Sequence, residues 1–357
     1  IVGNPNNVGG KGVYVYRKSG NTWNRVCSKP AATYSSLYQG QVQNYSEGIS
    51  LDLIKAYGKS VAINYDGTRF ASTYIRYDTG TSEVSIYDKL PDVTEEVGVY
   101  VPSTDTGFTQ RRGGDIKSTI NKSQLGSSVA ISGDGNRMVI GVPASSLAPT
   151  EGGYIKVFTW DPYSDAWVEE QQRNAEYYGA DLLFNGFRAP LNISGVESEG
   201  YGSSVAISRD GKTIIVGNPG WVHARGRFHL YHLNDVNEWT GEEVGGGGSQ
   251  LGERMGDRGS LAINSSGNTI AISSGHTTAA YGGQNDRVVV WYKDPAMPWR
   301  RRTSIVGEAA GDRASVIAMD STGDIVAVGA PYNDSESLDG GQVRVWYWDR
   351  TQSPEIW

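Results

Sequence analysis

The chain has 357 residues and a formal net charge of −7, and its basic residues form no long run; together these exclude a nucleic-acid surface built on clustered Lys and Arg. Glycine (47), tyrosine (21) and tryptophan (10) are abundant, which suits short strands, tight turns and aromatic packing and not a helical protein. No apolar stretch approaches the roughly 18 residues of a membrane helix, and the lone Cys27 excludes an intrachain disulfide.

One phrase recurs along the chain. A partial copy (about 1–56) opens with a second strand running into Gly3–Pro5, a third strand Val13–Tyr16 and Trp23 opening a fourth. The copy at 57–124 has a first strand Ser60–Asn64, an Asp66–Gly67 turn, a second strand Arg69–Thr73 and a third strand Val84–Tyr87, and it lacks the tryptophan. At 125–200 the same order reads Ser128–Ser132, Asp134–Gly135, Met138–Val142, Gly141–Pro143, Ile155–Phe158 and Trp167. At 201–254 it reads Ser204–Ser208, Asp210–Gly211, Thr213–Gly217, Gly217–Pro219, Phe228–Tyr231 and Trp239. At 255–310 it reads Ser260–Asn264, Ser266–Gly267, Thr269–Ser273, Val288–Trp291 and Trp299. The last copy, 311–357, has Ser315–Met319, Thr322–Gly323, Asp324–Gly329, Gly329–Pro331, Val343–Trp346 and Trp357.

Asp-Gly between apolar runs predicts a two-residue hairpin turn with positive φ, and the proline after the second strand stops its ladder. Four antiparallel strands per copy, repeated radially, predict a single all-β propeller over residues 1–357. Six blades are expected, or seven if a further repeat lies outside the chain. The tryptophans are expected to pack between blades. The hairpin turns emerge on one face. The loops after the second strands and the longer crossovers (88–124, 168–200, 240–254) emerge on the other, which is the expected binding face.

The extended lead-in Gly307–Asp312 followed by SVIAMDSTGDIVAVGAPYND and GGQVRVWYWD resembles the FG-GAP-like repeats of integrin α-chain propellers and of secreted or surface proteins of microbes and algae. The likeness spans essentially the whole chain. It implies a propeller in an extracellular or cell-surface protein. The sequence departs from that family where integrin-type blades carry an Asp-rich calcium loop: only a bare turn such as Ser132–Gly135 stands here, and one carboxylate cannot supply the six to eight oxygens calcium takes. No metal or cofactor is expected.

Chemical motifs are sparse. Ser132–Gly135 and Ser208–Gly211 share the Ser-x-Asp-Gly of sialidase turns without the completing tryptophan, and no carboxylate pair at a glycosidase separation can be placed. His229 and His232, three apart on one strand, point to opposite faces and cannot chelate together. Trp160–Asp161, Trp348–Asp349 and Gly275–His276 resemble WD-repeat endings but do not recur in most copies. Five sequons, at Asn44, Asn121, Asn192, Asn264 and Asn333, are candidate glycosylation sites.

The residues expected to contact a partner lie in the decorated-face loops: Asn6, Trp221, His223, Arg225, His276, Tyr281, Tyr332, Asn333, Asp334 and Asp339. The expected function is a non-enzymatic, extracellular structural or adhesive module that contacts other proteins of a surface assembly or fibre. It binds no nucleic acid and inserts in no membrane. A lectin-like glycan binder is the alternative and a glycoside-cleaving enzyme a distant third.

Overall fold

The structure is a computed structural model. It describes residues 2–3, 11–30, 56–75, 82–89, 108–110, 116–117, 124–143, 153–170, 187–188, 200–220, 226–242, 255–256, 261–274, 287–294, 298–306, 316–330, 332–333 and 340–349.

These residues form six antiparallel sheets, each a meander in chain order. Sheet 1 holds β1 (Val2–Gly3), β2 (Lys11–Ser19) and β3 (Thr22–Pro30). Sheet 2 holds β4 (Ala56–Ile63), β5 (Arg69–Ile75), β6 (Ser82–Lys89) and β7 (Phe108–Gln110), with β8 (Ile116–Lys117) also pairing β6. Sheet 3 is β9 (Ser128–Ile131), β10 (Arg137–Val142), β11 (Tyr154–Asp161) and β12 (Ala166–Glu169), with β13 (Phe187–Arg188) added on β11. Sheet 4 is β14 (Val205–Ile207), β15 (Thr213–Asn218), β16 (Arg227–Leu233) and β17 (Trp239–Glu242). Sheet 5 is β18 (Leu261–Ile263), β19 (Thr269–Ser274), β20 (Arg287–Tyr292) and β21 (Arg300–Val306). Sheet 6 is β22 (Val316–Met319), β23 (Ile325–Ala330) and β24 (Gln342–Tyr347).

The core is serial. Five apolar clusters lie between consecutive sheets, so each of sheets 2 to 5 buries one face against its predecessor and the other against its successor. First strands neighbour one another, β4 with β9, β9 with β14, β14 with β18 and β18 with β22, which places them innermost. This is the propeller arrangement the repeats predict: a unit too thin to bury both faces alone stacks on its neighbours.

Three details correct the sequence reading. The hairpin between first and second strands is not a two-residue turn. Asn64 and Arg69 close a backbone pair around four residues, and the same closure recurs at Ser132/Arg137, Ser208/Thr213, Asn264/Thr269 and Asp320/Ile325, at 2.8–3.0 Å. Only the glycine takes positive φ, +72° at Gly67, Gly135, Gly211 and Gly267 and +79° at Gly323. The aspartate keeps an ordinary φ, so a turn of the first type with a left-handed glycine replaces the mirror-image turn. Second, the last copy is set one residue later than read: Val316–Met319 is its first strand, and Asp320 holds the place of Ser132. Third, the fourth strand of the second copy, which has no tryptophan to mark it, opens on Phe108. Phe108 pairs with Lys89 as Trp167 pairs with Trp160 and Trp239 with Leu233.

Candidate functional site

The turn face is built from one polar side chain in each of sheets 2 to 6. Asn64, Ser132, Ser208, Asn264 and Asp320 each accept the backbone N–H that opens the second strand, at 2.9–3.0 Å. The residue after each cap then links the sheets. Tyr65 N–H donates to Gly133 O (3.2 Å), Gly133 to Arg209 (2.8 Å), Arg209 to Ser265 (3.2 Å) and Ser265 to Ser321 (3.0 Å). A belt of backbone hydrogen bonds therefore runs from turn to turn. Above it the Arg209 guanidinium sits 3.4 Å from the ring centre of exposed Tyr65, spanning Gly133, where a Cβ would lie 2.4 Å from Arg209 Cγ.

The carboxylates here are consumed by their own turns. Asp134 accepts from the Ser132 hydroxyl and the Asn136 N–H. Burial raises its pKa, but these bonds and Arg137 more than offset that and hold it below 3.8. Among the described residues no three His, Cys, Asp or Glu side chains gather as a metal site. His229 is buried against the Tyr201 ring, while His232, on the opposite face, contacts Thr213 Oγ1 and Glu242 Oε2.

At the outer rim the fourth-strand tryptophans join neighbouring sheets. Trp239 donates its indole N–H to Glu170 (2.7 Å), which also takes Arg137 (2.7 Å), and that guanidinium lies 5.6 Å from the Trp239 ring. One sheet on, Glu242 accepts from Trp299 (3.3 Å) and Lys293 (2.7 Å). Burial raises the Glu242 pKa, but Lys293, Trp299 and His232 together hold it below its ordinary value.

On the inner part of the joints of sheet 3 with 4 and of sheet 4 with 5, glycine permits close approach. A Cβ on Gly141 would meet Gly202 O at 1.9 Å, and one on Gly217 would meet Gly256 O at 2.1 Å. The adjacent Ser128 and Ser204 hydroxyls donate to those same carbonyls, at 2.9 and 2.6 Å. The repeated glycines of the Gly-x-Pro and Gly-Ser-Ser elements thus mark sheet–sheet contact and not a ligand cradle.

One surface departs from this order. In β24, Val343 is 71% exposed, Val345 49% and Tyr347 64%; in β22, Val316 is 59%. Ladder register makes Val343 and Val345 the counterparts of Val288/Val290, Phe228/Leu230 and Ile155/Val157, all buried to 0% under the following sheet. Sheet 6 therefore presents an apolar face of the kind every preceding sheet buries, with no described sheet upon it. At the other end, Tyr16 and Trp23 are 40% and 66% exposed, where Tyr231 and Trp239, their counterparts, are 1% and 4%. The expectation that the tryptophans pack between blades fits Trp239 and fails for Trp23.

The sequence matches no family model and no curated protein. Among solved structures the chain is similar to the periplasmic gluconolactonase of Pseudomonas aeruginosa (11% identity, 92% of this chain and 74% of that one, TM-score 0.47). It is similar also to a candidate 6-phosphogluconolactonase from Bacteroides uniformis (10%, 99% and 95%, 0.46) and to the Dos1 propeller (15%, 80% and 69%, 0.35). The expectation of a non-enzymatic chain is overturned by these two lactonases, which parallel this chain over most of its length. Their activities are properties of those proteins.

Of the residues expected to contact a partner, Asn6, Trp221, His223, Arg225, His276, Tyr281, Asp334 and Asp339 lie outside the described residues, as do the sequons at Asn44, Asn121 and Asn192. Tyr332 is 42% exposed beyond β23, and Asn333 beside it is buried, its N–H on Ala330 O and its carbonyl accepting from Gly341. Asn264 is corrected as a glycan site. It is 2% exposed, and its Nδ2 donates to Ser266, Asn268 and Thr322, so a sugar there would break the turn. The exposed faces of sheets 6 and 1 were not anticipated.

Proposed function

We propose that the chain is a propeller-type protein-interaction module of an extracellular or cell-surface assembly, and that the exposed face of sheet 6 is where it takes hold of a polypeptide partner. One observation carries the reading: Val343 and Val345 are exposed at positions whose counterparts in sheets 3, 4 and 5 serve sheet-to-sheet packing, and Val316 and Tyr347 extend the same exposed face. A contiguous apolar patch on a folded surface marks an interaction site. The likeness of the repeats to FG-GAP-like units supports the surface location and belongs to the same proposal.

The test replaces Val343 and Val345 by Asp in the producing cells. Both side chains are exposed, so the far-UV spectrum and melting temperature are expected to stay unchanged, while the chain moves from the cell-surface fraction into the medium. A folded double variant retained at the surface like the native chain overturns the reading.

A further inference from the structure

We infer that the partner of sheet 6 is a second copy of this chain, which seats the exposed side of its sheet 1 on the exposed face of sheet 6. The inference rests on the reading of sheet 6 as a docking surface. It adds the identity of the partner and the direction of assembly.

The contact is already present inside the chain, repeated from sheet to sheet. In the joint of sheets 3 and 4, the forward side offers Val139, Ile155 and Val157, and the following sheet covers them with Val205, Ile214, Val216, Tyr231 and Trp239. Sheet 6 offers Ala327, Val343 and Val345 at the positions of Val139, Ile155 and Val157. What must cover them is a sheet presenting an aromatic in mid third strand and a tryptophan at the start of the fourth. Sheet 1 carries that set on its outward side: Tyr14 and Tyr16 of β2 and Trp23 of β3, where Lys18 pairs with Trp23 as Leu233 pairs with Trp239. Its other side, Val13 and Val15, is already spent against sheet 2.

Both halves are thus present on each copy, with Val343 and Val345 exposed on one and Tyr16 and Trp23 on the other, and neither can serve both sides of the joint. The patches differ, so the contact is heterologous: copy follows copy with the same sense, and the series either closes into a ring or continues as a filament. The third-strand valines on one side and two tyrosines with a tryptophan on the other make an apolar contact with aromatic anchors, the composition favoured at interface centres.

The experiment uses the purified full chain and two single variants, Val345→Asp and Trp23→Asp, each blocking one half. Sedimentation velocity across a hundredfold concentration range is expected to show the native chain growing beyond dimers. Each variant alone is expected to be monomeric, with an unchanged far-UV spectrum. Mixed in equal amounts, the variants are expected to form a dimer and stop, since one intact half remains on each. A native chain that stays monomeric throughout overturns the inference, and so does a mixture that fails to dimerise. If the native chain is monomeric while the Val343/Val345 double variant is still lost from the cell surface, the docking face stands and its partner is another polypeptide. If neither effect is seen, both readings fall.

Discussion

The joint between sheets 4 and 5 and the open face of sheet 6 have apolar residues in the same register and opposite environments. Phe228 and Leu230 of β16 are fully buried under Leu261, Ile270 and Ile272. Val343 and Val345 of β24 stand at the same rungs, opposite Gly329 and Ala327 as Phe228 and Leu230 stand opposite Gly217 and Ile215, and face outward. Residue type and register therefore do not decide whether a strand face in this chain is core or surface. The neighbour does, and the predictions that follow set paired substitutions against that claim.

The widest gap is expected at the glycines. A Cβ on Gly217 would lie 2.1 Å from the backbone carbonyl of Gly256, which cannot move without pulling sheet 5 off sheet 4. On Gly329 the nearest atom is Val316 Cβ at 3.4 Å, an ordinary contact. Gly217→Ala is expected to cost about 3 kcal/mol or more, as severe overpacking does, and Gly329→Ala less than about 1 kcal/mol in the isolated copy. Urea denaturation of both variants checks this, and equal losses would show that sheet 6 is as tightly covered as sheet 4.

Next come the paired truncations Leu230→Ala and Val345→Ala. Removing a fully buried leucine leaves a cavity, with an expected loss of about 2–5 kcal/mol. Removing the half-exposed valine is expected to change stability by no more than about 0.5 kcal/mol at concentrations where the chain is monomeric. If copies dock through this face, the Val345→Ala loss should grow with protein concentration, because binding stabilises only the folded state. A melting curve independent of concentration would go against docking.

The fold was legible because the strand alternation, the turn glycines and the Gly-x-Pro stops recur in copy after copy. Where the chain breaks that rhythm, the reading slipped. Phe108 was missed as the start of a fourth strand because 18 residues separate it from Lys89 and because it is not a tryptophan. Ser315 imitates the first-strand serine, yet Asp320 supplies the cap and moves the register by one. The exposed face was invisible for a plainer reason: Val343 and Val345 read like Val288 and Val290, and a sequence does not state which strand faces are covered. Conversely, the loops judged functional carry polar and aromatic residues whose use depends on a geometry that repetition does not encode.

A buried titration separates the regions in another way. His229 faces sheet 3 and is held neutral, its pKa pushed down to about 3 by burial and by Arg227. The unfolded chain binds the proton near 6.5, so this contribution to stability is complete above that pH and is lost progressively as pH falls from 6.5 towards 3. The slope in that window is at most about 1.4 kcal/mol per pH unit. Sheet 6 has Arg344, and no histidine, at the equivalent rung. His229→Gln is expected to flatten the fall in urea midpoint between pH 7 and pH 5; a slope unaltered in the variant would assign it to another group.

The smallest effect belongs to the turn face, where the two regions should behave alike except in acid. In sheet 4 the cap is Ser208, whose hydroxyl accepts the Thr213 N–H and donates to Asp210. In sheet 6 it is Asp320, which takes the N–H groups of Gly323, Asp324 and Ile325 and the Thr322 hydroxyl. Removing either cap strands the strand-opening N–H, and each alanine variant is expected to cost about 1 kcal/mol at pH 7. Burial raises the Asp320 pKa, but the Thr322 hydroxyl and the backbone N–H groups of Ile325, Thr322 and Asp324 more than offset it and hold the carboxyl below 3.8. Its share of stability is therefore present above that value and lost as pH falls through the lower folded value. Because the group is largely solvated, that share is expected to be well under about 1 kcal/mol. The cost of Asp320→Ala should accordingly shrink in acid while that of Ser208→Ala persists. If both costs declined together, the cap would be acting through the common belt of turn-to-turn hydrogen bonds and not through its own charge.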